Sequence, residues 1–145
     1  MKTITATIYI AAKPDAVWTA LTRPAGVAAL YFGSKLVTTF EPGSPYQYVG
    51  DDGTVHVLGE ILEHVPNQRL VITHRAGPKW QQGPKSFQSR LSYAIEDAGF
   101  ATKLHLVHDQ IEDEDPGYAH NLEGWTVFLS SVKSYVETGK AFVLA

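Results

Sequence analysis

Cysteine is absent from this chain of 145 residues. Disulfide frameworks, thiol nucleophiles and cysteine-bound zinc are therefore excluded. Basic charge is scarce as well. Twelve Lys and Arg stand against fifteen Asp and Glu, a formal charge of −3, so there is no footprint for nucleic acid or for an anionic membrane. No apolar run is long enough to span a bilayer. The opening residues lack the charged-then-apolar order of a secretory signal, and a cytoplasmic protein is the default expectation. There is no Gly-x-Ser-x-Gly elbow and no glycine-rich phosphate loop after a strand. No cofactor is expected. The run Glu112-Asp113-Glu114-Asp115 lacks the alternating ligands and central glycine of a calcium loop, and reads as a solvated lead into a helix.

What is present is the composition of one soluble globular domain over residues 1–145, large enough for a real core. Thr3–Ile10 is rich in β-branched residues and reads as a strand. Pro14 then suits a first helical turn. Val17, Trp18 and Leu21 make an apolar stripe, and Pro24 ends that helix by disfavouring helical geometry at Arg23. Trp18 is expected in the core.

A run of strands follows. Lys35–Phe40, Tyr46–Val49 and Thr54–Val65 are separated by Glu41-Pro42-Gly43-Ser44-Pro45 and by Gly50-Asp51-Asp52-Gly53. After the Pro66-Asn67-Gln68 turn, Leu70, Ile72 and His74 share one face of a strand. Ala76–Lys85 reads as an irregular loop. Phe87–Glu96 and Ala101–His108 form a hairpin around Asp97-Ala98-Gly99. The period then changes from two to three or four. Leu122, Trp125, Leu129, Val132 and Val136 mark a long helix that starts near Asp115-Pro116 and ends at Gly139. The order predicts an α+β fold in which a curved antiparallel sheet wraps a long C-terminal helix. Room for a cavity lies between them.

The segments Ile10-x-Ala12-x-Pro14-x-x-Val17-Trp18-x-Ala20-Leu21-Thr22-x-Pro24, Gly59-Glu60-Ile61-Leu62-Glu63-His64-Val65-Pro66-x-x-Arg69-Leu70, Thr102–His108 and Gly124-Trp125-x-x-x-Leu129-x-x-x-Lys133-x-Tyr135-Val136-Glu137-x-Gly139 carry a resemblance. In order, and over nearly the whole chain, they resemble the START-like (SRPBCC) superfamily. Within it they are most similar to the homologues of the activator of the ninety-kilodalton heat-shock-protein ATPase. The resemblance implies a helix-grip fold: six or seven strands around the long helix, two short helices after the first strand, and a hydrophobic ligand cavity. It implies no common set of catalytic residues. The sequence departs from the family at His74, where many relatives carry Trp after the Leu-x-x-Thr run. It departs also at Ser44-Pro45, which interrupts a Pro-Gly-Gly turn, and in the acidic loop Gln110–Tyr118.

Six histidines are present. No pair has the i, i+4 spacing of a zinc helix, and His105 and His108 point to opposite strand faces. No metal site is expected. His56, His64, His105 and His120 read as surface or rim residues. His74 and His108 share faces with apolar neighbours, as does Tyr93 with Leu91 and Ile95. A ligand site is accordingly expected at Ile72, His74, Tyr93, Leu106, His108, Trp125 and Leu129, with Phe128 widening the helical wall. Three functions fit this pattern. One is binding of a small apolar or amphipathic molecule, the leading expectation. Another is co-regulation of a chaperone ATPase, against which stands the missing extra N-terminal domain of the eukaryotic activators. The third is a cyclase- or hydratase-like enzyme using the pocket His and Tyr. Tyr31, Phe32 and Val143 are taken as exposed apolar residues able to support a homodimer.

Overall fold

The computed structural model describes residues 1–143. Its elements are β1 (Lys2–Ile10), α1 (Pro14–Thr22), α2 (Pro24–Leu30), β2 (Lys35–Val37), β3 (Pro45–Val49), β4 (Val55–Val65), β5 (Arg69–Ala76), a short 3-10 turn (Pro78–Trp80), β6 (Ser89–Asp97), β7 (Thr102–Ile111) and α3 (Tyr118–Thr138). The strands form one antiparallel sheet in the order β1-β7-β6-β5-β4-β3-β2. β2 to β7 are a simple meander. β1 and β2 lie at opposite edges, so the chain between them must cross the whole sheet. Seven strands at about 4.8 Å make that crossing about 29 Å, and α1 and α2 accomplish it.

Period-two alternation decides which residues face inward. Ile61, Ile72, Leu91, His108 and Ile4 stand in one row across five strands, and Leu70, Tyr93, Leu106 and Ala6 in another. Val17, Trp18 and Leu21 of α1 and Leu129 and Val132 of α3 complete the buried cluster. Trp18 is 9% exposed and lies 5.4 Å from the His64 ring. α1 stops at Thr22, as Pro24 requires, and α2 begins at once on that same proline.

Two places depart from simple alternation. The strand expected over Lys35–Phe40 ends at Val37. Phe40 adopts a left-handed φ of 64° and turns back to stack on His64 at 4.9 Å, so burial of its ring prevails over strand propensity. β7 runs beyond His108 to Ile111 through a bulge. Two residues of β7, Asp109 and Gln110, oppose the single Thr3 of β1 between the pairs Ile4–His108 and Lys2–Ile111, with Gln110 at φ 56°. The bulge returns Ile111 to the core, 1% exposed.

α3, 21 residues and about 32 Å long, is fastened near its C-terminal end to the start of the chain. Lys133 Nζ donates to the Tyr9 carbonyl at 2.6 Å and to Glu137 at 2.7 Å, while Glu137 accepts the Ala11 N–H at 2.7 Å. Two backbone groups at the open end of edge strand β1 are thereby satisfied. Gly139 ends the helix at φ 82°, the left-handed cap conformation. The N-terminal half is less covered: Leu122, expected in the buried stripe, is 48% exposed.

Trp18→Ala is expected to lower stability by about 3–5 kcal/mol, since it removes a large core side chain. An unchanged urea midpoint would show that Trp18 is peripheral.

Candidate functional site

The sheet brings three of the expected residues into mutual contact beneath the N-terminal half of α3. The His74 and His108 ring centroids are 5.1 Å apart, His74 and Trp125 6.1 Å, and His108 and Trp125 5.7 Å. Alternation sets this geometry: His74 stands on the inward row of β5, His108 on that of β7, and Trp125 lies on α3. Ile72, Tyr93, Leu106 and Leu129 are all buried in the adjoining core. Tyr93 pairs in register with Leu106, and Ile72 shares the cross-strand row of His108. These four form the apolar floor rather than the polar cluster.

The hydrogen bonds run in one direction. The Trp125 Nε1–H donates to His108 Nδ1 at 2.9 Å. An indole nitrogen can only donate, so His108 Nδ1 is an acceptor and the proton sits on Nε2. That nitrogen then donates to Ser89 Oγ at 2.6 Å. Ser89 in turn donates to the His74 carbonyl at 3.3 Å. The chain Trp125, His108, Ser89, His74 carbonyl is thus complete with a neutral His108. Ser89 was not among the expected site residues. It lies on the same alternating face as Leu91, Tyr93 and Ile95, and carrying that alternation two residues back would have found it.

Burial holds both imidazoles in the neutral form. It pushes His108 from 6.5 down to about 4; the Asp115 and Asp109 carboxylates pull the other way and do not overcome it. His74 is pushed down to about 3 by burial and then by the adjacent His108. The His74 ring makes no hydrogen bond among the described residues. Yet none of their buried side-chain nitrogens or oxygens lacks a partner, so the ring nitrogens of half-buried His74 must still reach solvent.

A second polar feature flanks the first. Tyr31 was taken as an exposed residue. Instead its ring stacks on Tyr48 at 4.3 Å and packs against Phe128 at 5.0 Å, and its hydroxyl lies 3.0 Å from that of Tyr93. The position of Tyr31 depends on how α2 lands against the sheet, which local sequence does not signal. Burial pushes Tyr48 up to about 12 and raises Tyr31 and Tyr93 as well. These phenols are hydrogen-bonding groups at neutral pH and not bases. Phe32 and Val143 are exposed, 67% and 97%.

Two clefts lie elsewhere. One of about 410 Å³ runs between α1, α2 and the end of α3, past Arg23, Gly26, Tyr135 and Gly139. The other, about 330 Å³, opens on the outer sheet face beside Gly59, Glu60, Thr73 and Arg75. A side chain at Gly59 would strike the Thr73 carbonyl, the group that accepts the Tyr46 hydroxyl at 2.7 Å. Neither cleft contains any of the seven expected residues. Among the described residues no three His, Asp or Glu side chains gather in a way that could hold a metal ion, and no helix is long and apolar enough to cross a membrane.

The sequence matches the family described as Activator of Hsp90 ATPase homolog 1-like protein over residues 11–137. The chain belongs to this family. Solved structures agree in fold. The solution structure of the Aha1 dimer from Colwellia psychrerythraea is 23% identical, with a TM-score of 0.78 over 97% of this chain and 100% of that one. A protein from Mesorhizobium loti is 20% identical, with a TM-score of 0.76 over 92% of this chain and 95% of that one. An HSP90 activator from Plasmodium falciparum is 19% identical, with a TM-score of 0.73 over 94% and 96% of the two chains. At these identities the likeness establishes the fold alone. The comparison with curated proteins returns no match.

The buried neutral His108 makes stability depend on pH. The unfolded chain takes up a proton near pH 6.5, whereas the native chain does so only near 4. This contribution is therefore complete above pH 6.5 and is lost as pH falls toward 4; it amounts to about 3 kcal/mol. Between pH 7 and pH 4, urea midpoints are expected to fall more steeply for the wild type than for His108→Gln. Parallel profiles would contradict a neutral, buried imidazole.

Proposed function

We propose that this protein binds a small apolar or amphipathic molecule between the sheet and the N-terminal half of α3. One observation carries the reading. The His74 ring sits in a largely desolvated aromatic corner with no protein partner, while every neighbouring polar group in the hydrogen-bonded chain is satisfied. A polar handle in apolar surroundings is the usual composition of a small-molecule site. The less covered helix end, with Leu122 and Val127 exposed, offers the way in. Ile72, Tyr93, Leu106 and Leu129 would supply apolar contact area. Each Å² of apolar ligand surface buried contributes about 25 cal/mol before the costs of association.

Native mass spectrometry of the purified protein, followed by extraction, is expected to release a bound molecule. Trp125→Phe removes the donor to His108 and leaves a buried acceptor unpaired, at a cost of about 1–3 kcal/mol. It is expected to lower both stability and ligand retention, whereas His74→Leu should change which molecule is retained more than it changes the urea midpoint. A protein that carries no ligand and takes up none from an extract would overturn the reading.

A second reading, co-regulation of a chaperone ATPase, rests on the family and on the HSP90 activator among the structural relatives. Stimulation of the ATPase of a ninety-kilodalton heat-shock protein by equimolar purified protein would support it, and an unchanged rate would count against it. Self-association through Phe32 and Val143 is compatible with either reading.

A further inference from the structure

We propose that the protein pairs with a second copy of itself through the free edge of β1, strand against antiparallel strand, with the two-fold axis at Thr5. This edge lies apart from the His74 cluster, and the pairing holds or fails independently of ligand binding.

The direction of the main-chain groups defines what the edge offers. In an antiparallel ladder each residue turns its N–H and C=O toward one neighbouring strand, and the next residue toward the other. The Ile95 N–H donates to the Gln68 carbonyl, so the odd-numbered residues of β6 face β5 and the even-numbered ones face β7. Carried through the register, the odd residues of β7 then face β6 and the even ones face β1. Ile4, Ala6, Ile8 and Ile10 are accordingly the β1 residues bonded to β7. Thr3, Thr5, Thr7 and Tyr9 point outward. Lys133 Nζ reaches the outward Tyr9 carbonyl at 2.6 Å, as this direction requires. The main-chain groups of Thr3, Thr5 and Thr7 bond to no loop, turn or side chain among the described residues.

Little in β1 defends this edge. Thr3–Thr7 has no proline and no charged side chain, and the bulge is on the β7 side; proline, charge and bulging of the edge strand itself are the usual guards. Exposed apolar side chains gather along it instead. At one end Tyr9 stacks on Phe100 at 5.5 Å, and Phe100 is 80% exposed. At the other end Met1 is 79% exposed. Leu122 precedes Lys133 by about three turns of α3 and so shares its flank. Because Lys133 reaches over the edge to Tyr9, Leu122 overhangs the same edge nearer Thr5. Its exposure is accounted for by the place of a further strand beneath it.

The ends of the edge make a second copy the fitting occupant. A two-fold axis at Thr5 sets Thr5 against its own counterpart, Thr3 against Thr7, and Met1 against Tyr9. Each pair joins outward-facing residues, so the free N–H and C=O groups of the three threonines are satisfied in both copies, with threonine beside threonine on the outer face. The Met1 side chain then covers the Tyr9–Phe100 stack of the other copy. Charge matches in the same turn. The Met1 end carries Glu112-Asp113-Glu114, with Asp113 3.0 Å from the Met1 amine. The Tyr9 end carries Lys13 and Lys103, and neither makes an ion pair among the described residues. Antiparallel pairing brings the acidic end of each copy to the basic end of the other, whereas parallel pairing would set like charges together. The contact is self-complementary and closes at two copies. An unrelated extended peptide would meet the main-chain groups without matching these ends.

Sedimentation velocity across a range of concentrations tests the pairing, with a reversible dimer that weakens in high salt as the expected result. Thr5→Pro removes an outward N–H on the axis and spares the ladder to β7. It is expected to keep the wild-type circular dichroism spectrum and to raise the dimer dissociation constant by at least about tenfold. Thr5→Cys introduces the only thiol of the chain. Residues directly opposed in a hydrogen-bonded pair lie about 5.5 Å apart at Cα, within disulfide reach, so mild oxidation should give a covalent dimer. Ser92→Cys, on the outer face of central β6 and away from the edge, should give none. A protein that stays monomeric at millimolar concentration, a dimer that a folded Thr5→Pro variant does not weaken, or equal cross-linking of the two cysteine variants would overturn the pairing. Should Thr5→Pro fail to fold, the two cysteine variants decide.

Discussion

One long helix and two short ones have to cover the inner face of seven strands. α3 is about 32 Å long but only one helix wide, while the sheet spans about 29 Å across its strands. Leu129 and Val132 pack tightly near the middle of α3, and Val17, Leu21, Val27 and Leu30 of α1 and α2 join the same cluster. Long aromatic side chains fill the space that remains: Tyr31, Tyr48, Tyr93, Trp125 and Phe128 pack into or against the core cluster. Most of them carry a polar atom, so the interior cannot be purely apolar. Its hydroxyls and ring nitrogens must find partners, and the directional chain from Trp125 to the His74 carbonyl is one solution to that demand.

The two ends of α3 differ in consequence. Near its C-terminal end Lys133 and Glu137 form a half-exposed ion pair, which by itself would contribute little. Their value lies in the backbone groups they satisfy, the Tyr9 carbonyl and the Ala11 N–H, where edge strand β1 gives way to α1. The N-terminal half relies on one neutral bond from Trp125 to His108, beside exposed Leu122 and Val127. The His74 ring, which makes no hydrogen bond among the described residues, lies at this lightly held end.

Of the function classes considered from sequence, the site chemistry bears on enzyme and binding readings differently. Both histidines are neutral well below neutral pH, and the phenols stay protonated well above it. None of these groups is poised near pH 7, as an efficient general acid or base would be. His108, Tyr31 and Tyr93 act instead as fixed donors and acceptors within the core.

Much of this was legible in the sequence. The strand-helix-strands-helix order, the two helix-limiting prolines, the left-handed cap at Gly139 and the inward sets Leu70-Ile72-His74, Leu91-Tyr93-Ile95 and Leu104-Leu106-His108 all follow from local periodicity and backbone preference, which act over a few residues. The grouping of His74, His108 and Trp125 was anticipated because alternation places the two histidines on the inner face of the sheet and the three-to-four spacing of α3 turns Trp125 toward it. Other features were decided only by tertiary structure. The bulge at Gln110, the reversal of Phe40 onto His64, the burial of Tyr31 and the role of Ser89 as acceptor for His108 each depend on contacts between residues far apart in the chain. Local sequence determines which face of an element is apolar. Which partner a polar atom finds on that face is settled only when the strands are in register and α3 is in place, because a hydrogen bond requires positions accurate to a few tenths of an ångström and burial alone does not.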